Sequence, residues 1–366
     1  MKRFLPYFPI TILTVLMFIF PKTSISCARE TLYLTQEIIV PSLFPFFICS
    51  GLLLHSGLAE ALSKISAPIM RPLFNVGGPG SAALVLGTVS GYPQGAITAC
   101  QLYESGYLSK SETQRLLAFC NNSGPLFILG AVGSGIYSNG KVGLVLYISH
   151  IIATLLVGIL FRFYNQDKHS APPYAISQPE ESFSQVFSKV MANSINSILI
   201  VCGAIIFFGA TSGILTQILP VNDKIQAIIY GFLELSGGTK KLSQTMFSLT
   251  AKLVWSAFFI GFAGICVHIQ VAAIVAKHHL SLIPYIVGKL LHGIFSALFT
   301  LLYFLSFPPD TAVFVETSRV LSAGFCISSL YSAINIIFFI LLSILFCVFT
   351  SMGVSLKLKS RKKRDI

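Results

Sequence analysis

The chain has 366 residues, a formal net charge of +12, 54% apolar and only 10% charged side chains, and a mean hydropathy of +0.79. A soluble globular domain carries roughly 25% charged residues, so this composition excludes an ordinary water-soluble enzyme and leaves one integral membrane domain over 1–366. The basic excess does not point to nucleic acid: Lys357, Lys359, Arg361, Lys362, Lys363 and Arg364 directly follow the apolar run 333–354, the pattern of a cytoplasmic tail beside anionic headgroups.

The N-terminal part, 1–35, reads as a helix and a loop and opens with Lys2, Arg3 and an apolar run over 4–20. This run predicts a retained helix and not a signal peptide. It holds Pro6 and Pro9, no small-residue cleavage site follows at once, and Cys27 lacks the leucine three residues earlier that a lipoprotein site carries. The other seven cysteines are also single, with no CxxC pair, which gives no disulfide or metal signal.

From residue 36 the hydrophobic segments fall into two sets of four. The first, 36–164, holds 36–58, then 79–103 broken at Ser90-Gly91-Tyr92-Pro93, then 114–137 broken at Asn121-Asn122-Ser123-Gly124-Pro125, then an uninterrupted run 142–164. A polar link, 165–188, carries Pro172-Pro173 and Glu180-Glu181. The second, 189–307, holds 191–219 with Gly209-Ala210-Thr211-Ser212-Gly213, then 225–242 broken at Glu234-Leu235-Ser236-Gly237-Gly238, then 253–276 broken at Gly261-Phe262-Ala263-Gly264, then the uninterrupted 282–307. A loop and last helix, 308–355, and the basic tail, 356–366, complete the chain. Matching interruptions in two halves predict an all-α polytopic membrane protein with two inverted repeats, broken helices and re-entrant hairpins. The positive-inside rule favours about eight crossings plus two hairpins, with both termini cytoplasmic; ten full crossings give the same parity.

Breaks mark candidate sites because lipid cannot satisfy the N–H and C=O groups that a break frees. Ser90, Gly91, Tyr92, Pro93 and Gln94 form one such group, and Asn121, Asn122, Ser123 and Pro125 another. Glycine allows positive φ, proline stops a helix, and Ser, Asn and Gln supply neutral donors and acceptors. The half-helix that follows each proline is expected to present free N–H groups and the positive end of a dipole to an anion. Packed kinks are the alternative reading. Glu234, with Ser236 two residues on, is the one carboxylate inside an interrupted segment; it is expected to bind substrate, carry a proton, or pair with Lys240 or Lys241. His268 and Gln270 follow the Gly264 break and are expected in the same cavity. Lys289 and His292 share a helix face, suited to a carboxylate or to snorkelling at the interface. No GxSxG, P-loop or HExxH motif is present, so no catalytic residue, metal or cofactor is assigned.

These same residues carry a family resemblance. Leu43-Phe44-Pro45-Phe46-Phe47, Met70 through Val76, Ser90-Gly91-Tyr92-Pro93 with Gly95-Ala96, and Asn122 through Phe127 resemble the sporulation integral membrane proteins of the YlbJ type. That family carries the nucleoside-recognition or Gate domain and is distantly like concentrative nucleoside transporters. The resemblance covers about residues 36 to 355, and is looser in the second half, where Phe262-Ala263-Gly264 replaces the commoner Gly-Gly pair. It implies a non-enzymatic transporter in the outer forespore membrane that moves a small organic anion, dipicolinate, amid membrane lipids and without nucleic acid, with a homo-oligomer left open. Nucleoside or nucleobase transport, and a scaffold that recruits sporulation partners through its tail, are the alternatives.

Overall fold

The computed structural model describes residues 8–165, 182–219 and 221–308. The expected helix 333–354, the basic tail, the loop from 309 and most of the polar link lie outside the described residues. Among the described residues the structure is helical throughout, with no strand. Five helical runs are long and apolar enough to cross a membrane: Pro21–His55, Gly140–Phe161, Phe183–Ile218, Leu249–Ala276 and Ile283–Ser306. Their polarity is reversed relative to a soluble protein. On α14, Ile283–Ser306, the residues Ile286, Leu290, Ile294, Leu298 and Leu302 are exposed, while Lys289, His292, Ser296 and Thr300 are buried. Apolar faces meet lipid and polar groups meet one another.

The first apolar run becomes the short helix α1, Phe8–Ile19, which stops before Pro21 opens α2, Pro21–Leu34. Proline suits that first position because its missing N–H has no intrahelical partner there. A π-helical turn, Thr35–Ile39, joins α2 without interruption to α3, Val40–His55. The polar sequence of α2 reads as a loop; it is helical because it packs on α9, Phe183–Ile218. At Gly209 and Gly213 an added Cβ would collide with Thr31 and Cys27. The sequence expectation of an interruption at 209–213 is therefore corrected: α9 runs straight through it, and its two glycines form a close-packing face four residues apart. Helix α4, Leu58–Phe74, then leads into the first broken element.

Two pairs of short helices fold back on themselves. α5, Gly80–Ser90, and α6, Gln94–Glu104, pack together around the Gly91–Pro93 break, with Gly87 against Gly95. α10, Asp223–Leu233, and α11, Leu235–Ser243, do the same around Glu234, with Gly231 against Gly238. Each pair is followed by an interrupted helix: α7, Lys110–Leu117, with the π-helical stretch Leu126–Ile136; and α12, Leu249–Phe262, with α13, Gly264–Ala276. Each half then closes on an uninterrupted helix, α8, Gly140–Phe161, or α14. α14 packs on both α12 and α8, and the main buried cluster draws on both halves, with Phe119 and Cys120 from the first break beside Phe259 and Ala263 from the second.

The first hairpin seats tightly: a Cβ at Gly87 or Gly95 would meet the Cys120 carbonyl oxygen. Replacing Gly87 by Ala is expected to cost about 1–3 kcal/mol through overpacking, read as a lowered unfolding temperature in detergent. Gly203→Ala, where nothing lies within 4 Å of the new methyl, should leave it unchanged or raise it.

Candidate functional site

Four breaks meet in pairs. Gly91 lies against Gly124 backbone, and Gly264 lies against the backbone of Leu233, Glu234 and Leu235. In the first pair, α5 ends at Ser90 and Gly91 turns the chain with φ +86°, a left-handed value that favours glycine. Tyr92 donates its hydroxyl to the Ile260 carbonyl at 2.7 Å. That carbonyl belongs to the last turn of α12, where helix ends leave acceptors unpaired, so Tyr92 ties the first half to the second.

The stretch between α7 and Leu126 is held by its asparagines. Asn121 Oδ1 accepts from the Ala96 N–H at 3.4 Å, at the start of α6. Asn122 Nδ2 donates to Thr88 Oγ1 at 3.2 Å and to the Phe119 carbonyl at 3.1 Å, while its Oδ1 accepts from Thr154 Oγ1 at 3.1 Å. The Ser123 N–H donates to His150 Nε2 at 3.2 Å. Lys289, with 0% exposure, donates from Nζ to the Asn121 carbonyl at 2.9 Å and lies 2.9 Å from His292 Nδ1. Its ammonium also stands over the Tyr92 ring, 5.0 Å from the centroid.

Glu234 is 2% exposed and caps its own break. Its two carboxylate oxygens accept from the Ser236 N–H at 2.8 Å and the Gly237 N–H at 2.6 Å. This corrects the alternative of an ion pair with the following lysines: Lys240 Nζ is 2.9 Å from Glu30, and Lys241 stands over the Tyr230 ring. Opposite, Ala263 and Gly264 both take positive φ, at 76° and 69°. His268 Nδ1 is 2.7 Å from the Gly264 carbonyl, and Gln270 Nε2 is 3.4 Å from Cys266 Sγ. Gln270 Oε1 is buried with no hydrogen-bond partner among the described residues.

One cavity, about 510 Å³ including its open mouth, touches all four breaks or the helices they start. Of the residues singled out in sequence, Gly91, Tyr92, Ser123, Glu234, Ser236 and Gln270 line it together. Ser90, Pro93, Gln94, Asn121, Asn122, Pro125 and His268 are not among its lining. Ser90 instead shares a 2.6 Å hydroxyl contact with Ser50 of α3, and Gln94 Nε2 lies 3.5 Å from Thr98. Pro125 precedes the first turn of the π-helical stretch. Asn121 and Asn122 are structural ties behind the cavity wall.

Several of the half-helix N–H groups expected to be free have partners inside the protein. Asn121 serves α6, Glu234 serves α11, and the Gly124 carbonyl accepts from Phe127 and Ile128. What sequence reasoning missed is the apolar wall: Ile39 and Leu43 from the long N-terminal helix, Phe127, and Val201 and Ile205 from α9. Apolar residues in apolar helices carry no local signal of which face meets a cavity. No group of three or more His, Cys, Asp or Glu side chains suited to a metal occurs among the described residues.

Comparison with known proteins adds two findings. The Gate family, described as nucleoside recognition, matches residues 38–214. The chain is also 30% identical over 325 residues to the sporulation integral membrane protein YlbJ of Bacillus subtilis (strain 168), covering 79% of this chain and 80% of that relative. No solved structure matches.

Because Asn122 bonds α5, α8 and its own turn and does not line the cavity, Asn122→Ala should destabilise the protein by about 1–3 kcal/mol, the cost of stranding buried partners. Thermal unfolding in detergent checks this. Substituting exposed Lys277 by Ala should change stability by less than about 0.5 kcal/mol.

Proposed function

Since this chain belongs to the YlbJ family of sporulation integral membrane proteins, we propose that it is a transporter that carries a small organic anion, dipicolinate, across the outer forespore membrane without altering it chemically. The observation that carries the reading is the convergence of the four breaks on one cavity. Discontinuous helices that meet between two halves are the usual architecture of a secondary transporter's site. In this reading the two halves are inverted repeats, each a hairpin, a broken helix and a closing helix, about eight crossings plus two hairpins in all. Both termini are cytoplasmic, and lipid surrounds the exposed apolar rows, with self-association as a further option.

The cavity suits a planar, partly apolar solute. Its walls are mostly aliphatic, and its polar atoms gather at Glu234, Ser236, Gln270 and Ser123. The Glu234 charge is directed into two backbone N–H groups, and the Lys289 ammonium stands behind the Tyr92 ring. A second reading, nucleoside or nucleobase transport, is favoured by the Gate match and by a carboxylate and an unpartnered amide oxygen in the cavity, both acceptors for ribose hydroxyls.

Uptake by proteoliposomes holding the purified full chain separates the two. Dipicolinate is expected to enter and uridine or adenosine not, and Gln270→Ala should weaken uptake about tenfold, equivalent to about 1.4 kcal/mol. Uptake of nucleosides alone would reverse the ranking. Deletion of the gene should leave spores poor in dipicolinate unless a second transporter compensates. Truncation after Val354 should leave uptake intact, whereas a tail-dependent scaffold would lose its function.

A further inference from the structure

α14 carries one feature that substrate binding does not use. Its buried face presents Lys289, His292, Ser296 and Thr300, all 0% exposed, at spacings of three and four residues. They form a continuous polar stripe along roughly 16 Å of helix. The Lys289 ammonium has three N–H bonds and three neighbours for them: the Asn121 carbonyl, His292 Nδ1 and the face of Tyr92. No carboxylate lies within salt-bridge distance of it among the described residues. Beyond it, His292 Nε2 reaches the His150 carbonyl at 3.0 Å and Thr154 Oγ1 at 3.2 Å. Farther along the stripe, the Ser296 and Thr300 hydroxyls are buried without a hydrogen-bond partner among the described residues.

Intramembrane ionisable groups are costly and usually serve ion or proton movement. A purely structural lysine would be balanced by a carboxylate, since a buried ammonium without a counter-charge is hard to keep. We infer that Lys289, His292, Ser296 and Thr300 form a proton-carrying site and path that couples anion movement to a proton. This inference rests on the transport reading above. With His292 accepting at Nδ1, its proton sits on Nε2; transfer of a proton from Nζ to Nδ1 leaves a neutral amine and an imidazolium, and the imidazolium returns to the neutral ring by giving one proton to water admitted along the Ser296 and Thr300 hydroxyls.

The position of the site explains how it would act. The protonated lysine supplies the donor that the Asn121 carbonyl needs and the cation that the Tyr92 face attracts. Loss of the proton weakens both, and with them the two first-half breaks that border the cavity. An anion in the cavity and a proton on Lys289 favour each other across the Tyr92 ring, and such coupling is reciprocal. The titratable groups around Lys289 are His292 and Tyr285 on its own helix, His150 on α8, Cys120 between α7 and Asn121, Tyr92 at the hairpin break, and His268 on α13, whose ring lies 5.2 Å from that of Tyr285. α12 carries only Lys252, which donates to the Ser243 carbonyl.

The test uses the full chain in liposomes with a pH-sensitive dye inside and dipicolinate as the probe. For a one-proton couple, a step of about one pH unit, acid outside, should raise dipicolinate accumulation about tenfold, with acidification of the lumen. Lys289→Gln and His292→Gln should bring that ratio to about one whatever the basal rate, and Lys277→Gln should leave it at tenfold. Dipicolinate uptake with no proton entry and no response to the pH step would overturn the coupling and leave the transport reading standing. If dipicolinate does not move at all, the transport reading fails and ¹⁵N shifts of Lys and His side chains between pH 5 and 9 decide the rest. A change in the His292 signal that Lys289→Gln abolishes supports the proton site, and an invariant cluster rules it out.

Discussion

The structure depends on one constraint: every N–H and C=O group released where a membrane helix stops must find a partner inside the protein. Lipid offers none, and each unmet group costs several kcal/mol. The chain meets this demand with side chains from distant elements, so that Tyr92 completes the end of α12, Asn121 the start of α6, and Lys289 the carbonyl of Asn121 itself. A break is therefore not a local event. It forces particular helices to lie side by side, and the cavity is the space left between the breaks once they have been satisfied.

The two halves solve the problem differently. In the first, the break between α7 and Leu126 is tied to α5, α6, α8 and α14 through Asn121, Asn122 and Ser123. In the second, Glu234 closes its own turn and Gly264 simply approaches it, backbone to backbone. Ala263 takes a left-handed φ there with its Cβ in place, a conformation that costs an L-residue roughly 1–2 kcal/mol. The first half is thus cross-braced and the second is self-contained, so displacement of the second hairpin breaks fewer bonds to the rest of the molecule.

Much of this was legible in the sequence because glycine, proline and asparagine at mid-depth have few other uses in a membrane helix. The breaks at Gly91, Asn121 to Pro125, Glu234 and Ala263-Gly264 all fall where those residues stand. Glycine alone misled at Gly209 and Gly213, where it permits close packing against α2 and the helix continues; Gly264 does stand at a break without proline or amide, because Ala263 before it also takes a positive φ. α2 itself was invisible, because its polar sequence becomes helical only against the α9 glycines. The division of the asparagines from the cavity was not legible either. Asn122 and Ser123 are neighbours in a non-helical stretch, and which of them meets the cavity is set by distant partners, Thr88 and Thr154 for the first and His150 for the second.

The same constraint limits what the cavity can offer a solute. Most polar atoms on its walls are already engaged: the Tyr92 hydroxyl with Ile260, the Ser123 N–H with His150, and the Glu234 oxygens with α11. Gln270 Oε1 remains unengaged and buried, and an unpaired amide oxygen there costs about 1–3 kcal/mol until something donates to it. A solute gains by lying along the aliphatic wall and, where it carries a donor, by donating to that oxygen; an ionised dicarboxylate carries none and would take the N–H groups of the same amide. Selection would then come from shape and a few directed bonds, with the net charge of the surroundings set by two groups that are each satisfied elsewhere, the Glu234 carboxylate at the tip of α11 and the Lys289 ammonium behind Tyr92. On the proposed reading neither group spends its bonds on the solute: the Glu234 oxygens keep the Ser236 and Gly237 N–H groups and Lys289 keeps the Asn121 carbonyl when the cavity empties, so that only the charge balance at Lys289 changes with the cargo.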